Sequence, residues 1–178
     1  MAGFPPTGFT LELLDRGHRR KRFSSGDERV DRWLVHKALG AMEKNTSITR
    51  VLIATDQSVA GYYTLASTAL DVSLVPPALL GNVSPNKPLP TLTLVWLGVD
   101  ARFAGRGFGT KLFARALADG VQVYELVRFV AVIVDALHAV AGGEPRFQGD
   151  GHDIVFREGI IEEDLQLALA VVKDARLV

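Results

Sequence analysis

The chain has 178 residues, 48% of them hydrophobic and 22% charged, with 20 Lys and Arg against 20 Asp and Glu. That length suits one well-buried domain and is short for two. The absence of cysteine excludes disulfides, thiolate metal sites and a cysteine nucleophile, and zero formal charge argues against holding nucleic acid by bulk charge alone. Residues 1–6 carry no apolar core, and the apolar run 121–134 is interrupted by Glu125 and Arg128 and too short for a bilayer. A soluble, cytoplasmic protein with no membrane partner is therefore expected.

In chain order, a short strand is expected at residues 11–14. A crowd of cations follows, Arg16, His18, Arg19, Arg20, Lys21 and Arg22, with Lys37, Lys44 and Arg50 on the next elements. Such a run is either a solvated edge strand kept from aggregating by charge or, taken as a set, a surface for phosphates. A helix is predicted over residues 26–42: Ser25 and Glu28 have capping-box spacing, and Val30, Trp33, Leu34 and Ala38 share one apolar face, which puts Trp33 in the core.

Residues 50–54 and 59–70 read as a hairpin joined by the turn residues Asp56, Gln57 and Ser58. Pro76, Pro77, Pro85, Pro88 and Pro90 deny a regular ladder to residues 75–90, which are expected to form an irregular excursion. Residues 91–99 are nearly all apolar, as in a strand buried on both faces. A helix over 109–118 would pack Leu112, Phe113, Ala116 and Leu117 on the sheet, and residues 129–134 read as the next, central strand. Near the end, residues 154–156 are strand-like. Leu165, Ala168, Leu169 and Val172 recur at helical spacing behind Glu162, Glu163 and Asp164, predicting a closing helix.

The most informative stretch is Ala104-Gly105-Arg106-Gly107-Phe108-Gly109-Thr110, between the apolar strand and its helix. Glycine at every second position removes side chains, so that consecutive N–H groups and the helix start can face one anion. That is a pyrophosphate cradle, the alternative being a plain glycine-rich turn. Lys111 follows Gly109, but the Walker pattern needs a glycine at Ala104 and a hydroxyl after the lysine. A dinucleotide fingerprint would put its third glycine at Thr110 and an acid about twenty residues later. Neither spacing fits.

A strand ending Val99-Asp100, a short loop and x-Gly-x-Gly-x-Gly resemble the GNAT acetyltransferases, whose loop holds the pyrophosphate of acetyl-CoA. Phe23-Ser24-Ser25-Gly26, Val30-Asp31-Arg32-Trp33-Leu34, Lys37-Ala38, Arg50-Val51-Leu52-Ile53-Ala54 and Val59-Ala60-Gly61-Tyr62-Tyr63-Thr64-Leu65 precede it in the order seen in the GNAT toxins of bacterial toxin–antitoxin pairs. The likeness spans residues 11–136. It implies an α/β fold, a single GNAT-like domain over 1–178 with a central mixed, mostly antiparallel sheet flanked by helices. It also implies acetyl-CoA as donor, a primary amine as acceptor (in the toxins, that of aminoacyl-tRNA), an antitoxin protein as partner and a homodimer.

By the same resemblance, the main chain of Leu97, Gly98 and Val99 pairs with the pantetheine arm. Ala104, Gly105, Arg106, Gly107, Phe108, Gly109 and Thr110 hold the pyrophosphate, and the N–H of Val99 is the oxyanion donor. Four departures stand out. Trp96 replaces the family's Arg, Gly98 its Ala, and Ala104 its Gln or Arg. The tyrosine that protonates the CoA thiolate is missing from Ala141-Gly142-Gly143-Glu144-Pro145-Arg146-Phe147-Gln148-Gly149, where Pro145 takes its place. Since the loop grips phosphate through main-chain N–H groups, Ala104 weakens the hold without abolishing it. A positioned general acid contributes about 10²–10⁴-fold, so its loss matters more. Substitutes are Tyr62, Tyr63, of which one at most faces a cleft, Tyr124 and, best placed in sequence, His138. Alternative readings are a catalytically impaired relative that binds acetyl-CoA or protein partners, and an acetyltransferase of a protein or small-molecule amine.

Overall fold

Strand β1 (Phe9–Leu13) pairs antiparallel with β2 (Ile48–Ala54), from Phe9 opposite Ala54 to Leu13 opposite Arg50, and β2 pairs antiparallel with β3 (Val59–Leu70). The computed structural model describes residues 4–70, 87–127, 131–135 and 152–156. They fall into two units, Met1–Ala66 with Leu94–Ala116, and Ser67–Thr93 with Leu117–Val178.

In the first unit the strand order is β1-β2-β3 followed by β4 (Leu89–Val99). The hairpin between β2 and β3 closes as its residues dictate. Asp56 Oδ1 accepts from the amide and hydroxyl of Ser58, and Gln57 takes φ +65°. A register shift between Leu52 and Ile53 marks a bulge before that turn. Every residue from Val59 to Leu65 is buried, so it is β3 that is covered on both faces. β4 is buried from Thr91 to Leu94 but only half-buried at Val95, Trp96 and Leu97, which corrects the expectation for residues 91–99.

The helical segment begins later than its sequence predicts. Helix α1 (Glu28–Arg32) is capped by Asp27, whose extended backbone and Oδ1, 2.8 Å from the amide of Arg29, supply the N-cap. Ser25 is diverted, its amide and hydroxyl both donating to Asp31 Oδ1 at 2.7 Å. A π turn (Trp33–Lys37) then separates α1 from α2 (Ala38–Glu43). Leu34 and Ala38 are fully buried, with Val30 nearly so, whereas Trp33 is half-buried. Beyond β4 a single 3-10 turn (Ala101–Phe103) leads to helix α3 (Phe108–Leu126).

In the second unit the outer ends of β3 and β4 continue in strand order with β5 (Ala131–Asp135) and β6 (His152–Phe156), the last two antiparallel from Ala131 opposite Phe156 to Asp135 opposite His152. Thr68 Oγ1 lies 2.7 Å from Thr91 Oγ1 and 2.6 Å from Thr93 Oγ1. β4 starts at Leu89, so it takes in Pro90, which the excursion was expected to include. The rest of that excursion, residues 75–86, and the predicted closing helix over 161–172 lie outside the described residues. Helix α3 runs past Ala118 to Leu126, and within it Gly120 is a packing glycine: a Cβ there would stand 3.1 Å from Leu92 Cδ2. Among the described residues, no helix is long and apolar enough to cross a membrane.

Candidate active site

Main-chain polarity at the end of β4 sets the site. The amide of Asp100 donates to Ala60 O on β3 at 3.0 Å, and Gly98 O lies 3.0 Å from where a Cβ on Gly61 would sit, so residues 98 and 100 both turn their polar groups toward β3. Strand alternation then aims the N–H and C=O of Leu97 and Val99 away from β3, to the strand's other edge. Those are the groups assigned above to the pantetheine arm and to the thioester carbonyl. Gly98 also has a packing cause. A Cβ on it would meet Val30 Cγ1 at 2.5 Å, Tyr62 Cε1 at 3.0 Å and Phe23 Cζ at 3.3 Å.

Asp100 fastens the strand end to a distant segment. Its carboxylate is buried and accepts from the amide of Arg102 (3.0 Å), the guanidinium of Arg102 (2.8 and 3.0 Å) and the amide of Ser24 (3.2 Å), while Ala101 N donates to Ser24 O at 2.8 Å. Burial pushes this carboxyl up, but the Arg102 guanidinium and the two amides outweigh it and hold it below the ordinary carboxylate value.

The glycine loop has the backbone its sequence requires. Gly105 (φ +74°) and Gly107 (φ +72°) are left-handed, Arg106 between them is not, and no atom stands within 4 Å of a Cβ built on either glycine. Alternating the sign of φ turns successive N–H groups toward one concavity, the geometry of an anion nest. Ala104, Gly105, Arg106 and Gly107 are exposed, Gly109 is half-buried and Thr110 exposed. The first turn of α3 carries no acidic residue to compete for its N–H groups.

Below the loop, Phe108 is buried and meets Phe9 edge-on at 5.0 Å, and Phe9 meets Phe103 at 5.8 Å. The guanidinium groups of Arg102 and Arg106 lie 5.5 and 5.3 Å from the Phe103 ring centre. The loop is thus anchored by aromatic packing, while its main chain faces outward.

The substitutes for the missing tyrosine fare differently. Tyr62 and Tyr63 are both fully buried, so neither opens to a cleft. Period-two alternation does place them on opposite faces, but both faces are covered. The Tyr62 hydroxyl donates to Val30 O at 2.7 Å, and burial, with Asp31 and Asp27 adding to it, raises its pKa far above the ordinary phenol value. Tyr124 is half-buried on α3. His138 and the stretch 141–149, with Pro145, lie outside the described residues.

Trp96 stacks on Trp33, and the Trp33 indole N–H donates to Thr64 Oγ1 at 3.0 Å, itself 2.8 Å from Thr49 Oγ1. Trp33 is therefore one half of a paired, half-buried platform, not a core residue.

The basic run is no edge strand, since β1 ends at Leu13 and Arg20–Arg22 form a 3-10 turn. It lines a cavity of about 900 Å³ together with His36, Asp56, Ser58 and Arg102. Lys37, Lys44 and Arg50 do not line it. The cluster at 16–22 was legible as charge. Its closure by Arg102 and Asp56 was not, because those residues arrive from the turn between β2 and β3 and the 3-10 turn after β4.

Over 116 residues the sequence is 33% identical to the tRNA-acetylating toxin of Mycobacterium tuberculosis (strain ATCC 25618 / H37Rv), covering 65% of this chain and 68% of that one. The chain belongs to the GNAT toxin family. This GNAT toxin is accordingly an N-acetyltransferase. No protein-family model matches its sequence. Its fold is that of AtaT: the AtaT–AtaR complex bound with acetyl-CoA matches with a TM-score of 0.71 at 20% identity, over 91% of this chain and 98% of that one. AtaT complexed with acetyl-methionyl-tRNAfMet matches at 0.70 and 21% identity, over 90% and 99%. A tyrosine-to-phenylalanine variant of KacT matches at 0.66 and 21%, over 74% and 80%.

Proposed function

We propose that this GNAT toxin, acting as one domain over residues 1–178, moves the acetyl group of acetyl-CoA to the primary amine of an aminoacyl-tRNA. The observation that carries this reading is the pair of left-handed glycines, 105 and 107, set directly after a strand whose Leu97 and Val99 main-chain groups face away from β3. N–H groups of residues 104–110 hold the diphosphate and those of residues 97–99 hold the pantetheine arm. The N–H of Val99 donates to the thioester oxygen as it gains charge, the contribution of an oxyanion donor. The amine nitrogen forms its bond to the acetyl carbon and gives up one proton to solvent, the carbon–sulfur bond breaks, and the thiolate takes up a proton. His138 is our candidate donor of that proton.

The relative's tRNA-acetylating activity and the AtaT complexes with acetyl-CoA, with tRNA and with AtaR support this acceptor and an antitoxin partner. We further propose a homodimer working in the cytoplasm. Incubation with labelled acetyl-CoA and bulk charged tRNA is expected to label the tRNA, with Gly107→Glu as the silent control. Clean negatives across all charged species overturn the proposal.

A second reading, a coenzyme-binding relative without transfer, is favoured by Pro145 in place of the family tyrosine. It requires acetyl-CoA binding by calorimetry with no labelled product and no growth arrest on expression. Growth arrest that Gly107→Glu relieves excludes it.

A further inference from the structure

The cations around the 900 Å³ cavity fall into two groups. Arg16 is engaged by Glu43 at 2.6 Å and Arg102 by Asp100 at 2.8 Å, while Arg20 donates to the carbonyls of Val35 and Asp15, which fix its guanidinium without neutralising it. Arg19, Lys21 and Arg22 have no carboxylate partner among the described residues. Of the six Arg and Lys side chains in the lining, Arg19, Arg20, Lys21 and Arg22 are thus left with a single lining carboxylate, Asp56, which already accepts from the amide and hydroxyl of Ser58. In a chain whose charges sum to zero, this is a local excess of positive charge that favours an anion.

The segment that carries these cations is also held in place. Arg20–Arg22 form a 3-10 turn, Arg19 bridges to Ser58, and Ser24 is bonded to both Asp100 and Ala101. The cavity shares no residue with the glycine loop. Its volume admits more than one phosphate, and its guanidinium forks match phosphate oxygens.

We propose that this cavity grips the phosphodiester backbone of the acceptor RNA, an inference that rests on aminoacyl-tRNA being the acceptor. Such contacts fix position and carry no base sequence, so the cavity supplies affinity common to all tRNAs and leaves selection among them to other residues. Arg102 links the two sites: it follows Asp100 at the end of β4, and its side chain lines the cavity.

Uncharged tRNA tests this without any acetyl transfer. Its binding is followed by fluorescence anisotropy from about 50 to 300 mM KCl for the wild type, for the triple variant Arg19→Ala, Lys21→Ala, Arg22→Ala and for Arg19→Lys with Arg22→Lys. All three positions are exposed, and a thermal melt checks that the variants fold. The triple variant is expected to bind about tenfold or more weakly, with a log–log salt slope shallower by about 2 to 3, while the lysine variant keeps the slope. Acetyl-CoA affinity by calorimetry stays within about twofold, since the cradle is main chain.

Unchanged tRNA affinity and slope in the triple variant overturn the proposal, as does a wild type that fails to bind tRNA at the lowest salt. A loss of acetyl-CoA affinity with tRNA binding intact assigns the cavity to the coenzyme's own phosphates and also overturns it. If binding behaves as expected but charged tRNA is never acetylated, the acceptor reading falls and the phosphate site stands.

Discussion

Trp96 lies face to face with Trp33, their ring centres 5.4 Å apart and their planes 18° from parallel. The resemblance leads one to expect an arginine at position 96. The indole there is a packing choice, since Trp33 is pinned by its N–H bond to Thr64 and offers its face to β4. Trp96→Ala is expected to cost about 2–3 kcal/mol by urea unfolding, at the low end for a large aromatic because the ring is half-buried. A double-mutant cycle with Trp33→Ala should return a coupling of about 1 kcal/mol. A coupling near zero would show that the rings merely lie side by side.

Gly107 separates binding from folding. A side chain at φ +72° is strained by about 1–3 kcal/mol, but nothing stands within 4 Å of its Cβ, so the fold survives. Gly107→Ala is expected to lower acetyl-CoA affinity modestly. Gly107→Glu, which adds a carboxylate beside the diphosphate, lowers it by about a hundredfold or more. Calorimetry beside a thermal melt distinguishes loss of the cradle from loss of the protein.

Acid lability has two named sources. Hydrogen bonding from the Arg29 side chain and then its amide lowers Asp27 from 3.8 to about 2, and Asp100 is lowered as described. A carboxylate with a depressed folded pKa binds fewer protons folded than unfolded. Its stabilisation is present above the unfolded pKa and is lost as pH falls through the folded one. The wild type's advantage over Asp27→Asn should therefore be full at pH about 6 and shrink between pH about 4 and 2. Asp100→Asn should cost about 2–3 kcal/mol at neutral pH, because it weakens charge-assisted bonds from Arg102 and Ser24. Denaturant unfolding across that pH range measures both.

Tyr62→Phe tests whether the buried phenol takes part in proton transfer. Removing its hydroxyl takes the donor from Val30 O and should cost about 1–2 kcal/mol. Because its pKa is raised so far, the shape of the kcat/KM pH profile is expected to stay as in the wild type. A lost basic limb would make Tyr62 the thiolate's acid after all.

Local chemistry was legible wherever a residue type has one backbone meaning. Alternate glycines marked the loop in which 105 and 107 prove left-handed, and Asp56-Gln57-Ser58 foretold its turn. Ambiguity arose where tertiary partners decide. Ser25 was expected to cap the helix, but Asp31 claims the serine and Asp27 takes the N-cap. The helix expected over 109–118 runs on to Leu126, with Gly120 packed against Leu92. Alternation separates Tyr62 from Tyr63 but is silent on whether each face is covered. The cations at 16–22 announce charge, whereas the cavity needs Asp56, Ser58 and Arg102 folded against them.

The crowding at Gly98 reaches into the history of the gene. Val30, Tyr62 and Phe23 already fill the space that a methyl at 98 would need, so a side chain there requires room to be made at one of the three. In an alignment of its descendants, alanine at 98 is expected to travel with a slimmer residue at 30. A chimera that borrows a cousin's strand without its matching helix is expected to misfold.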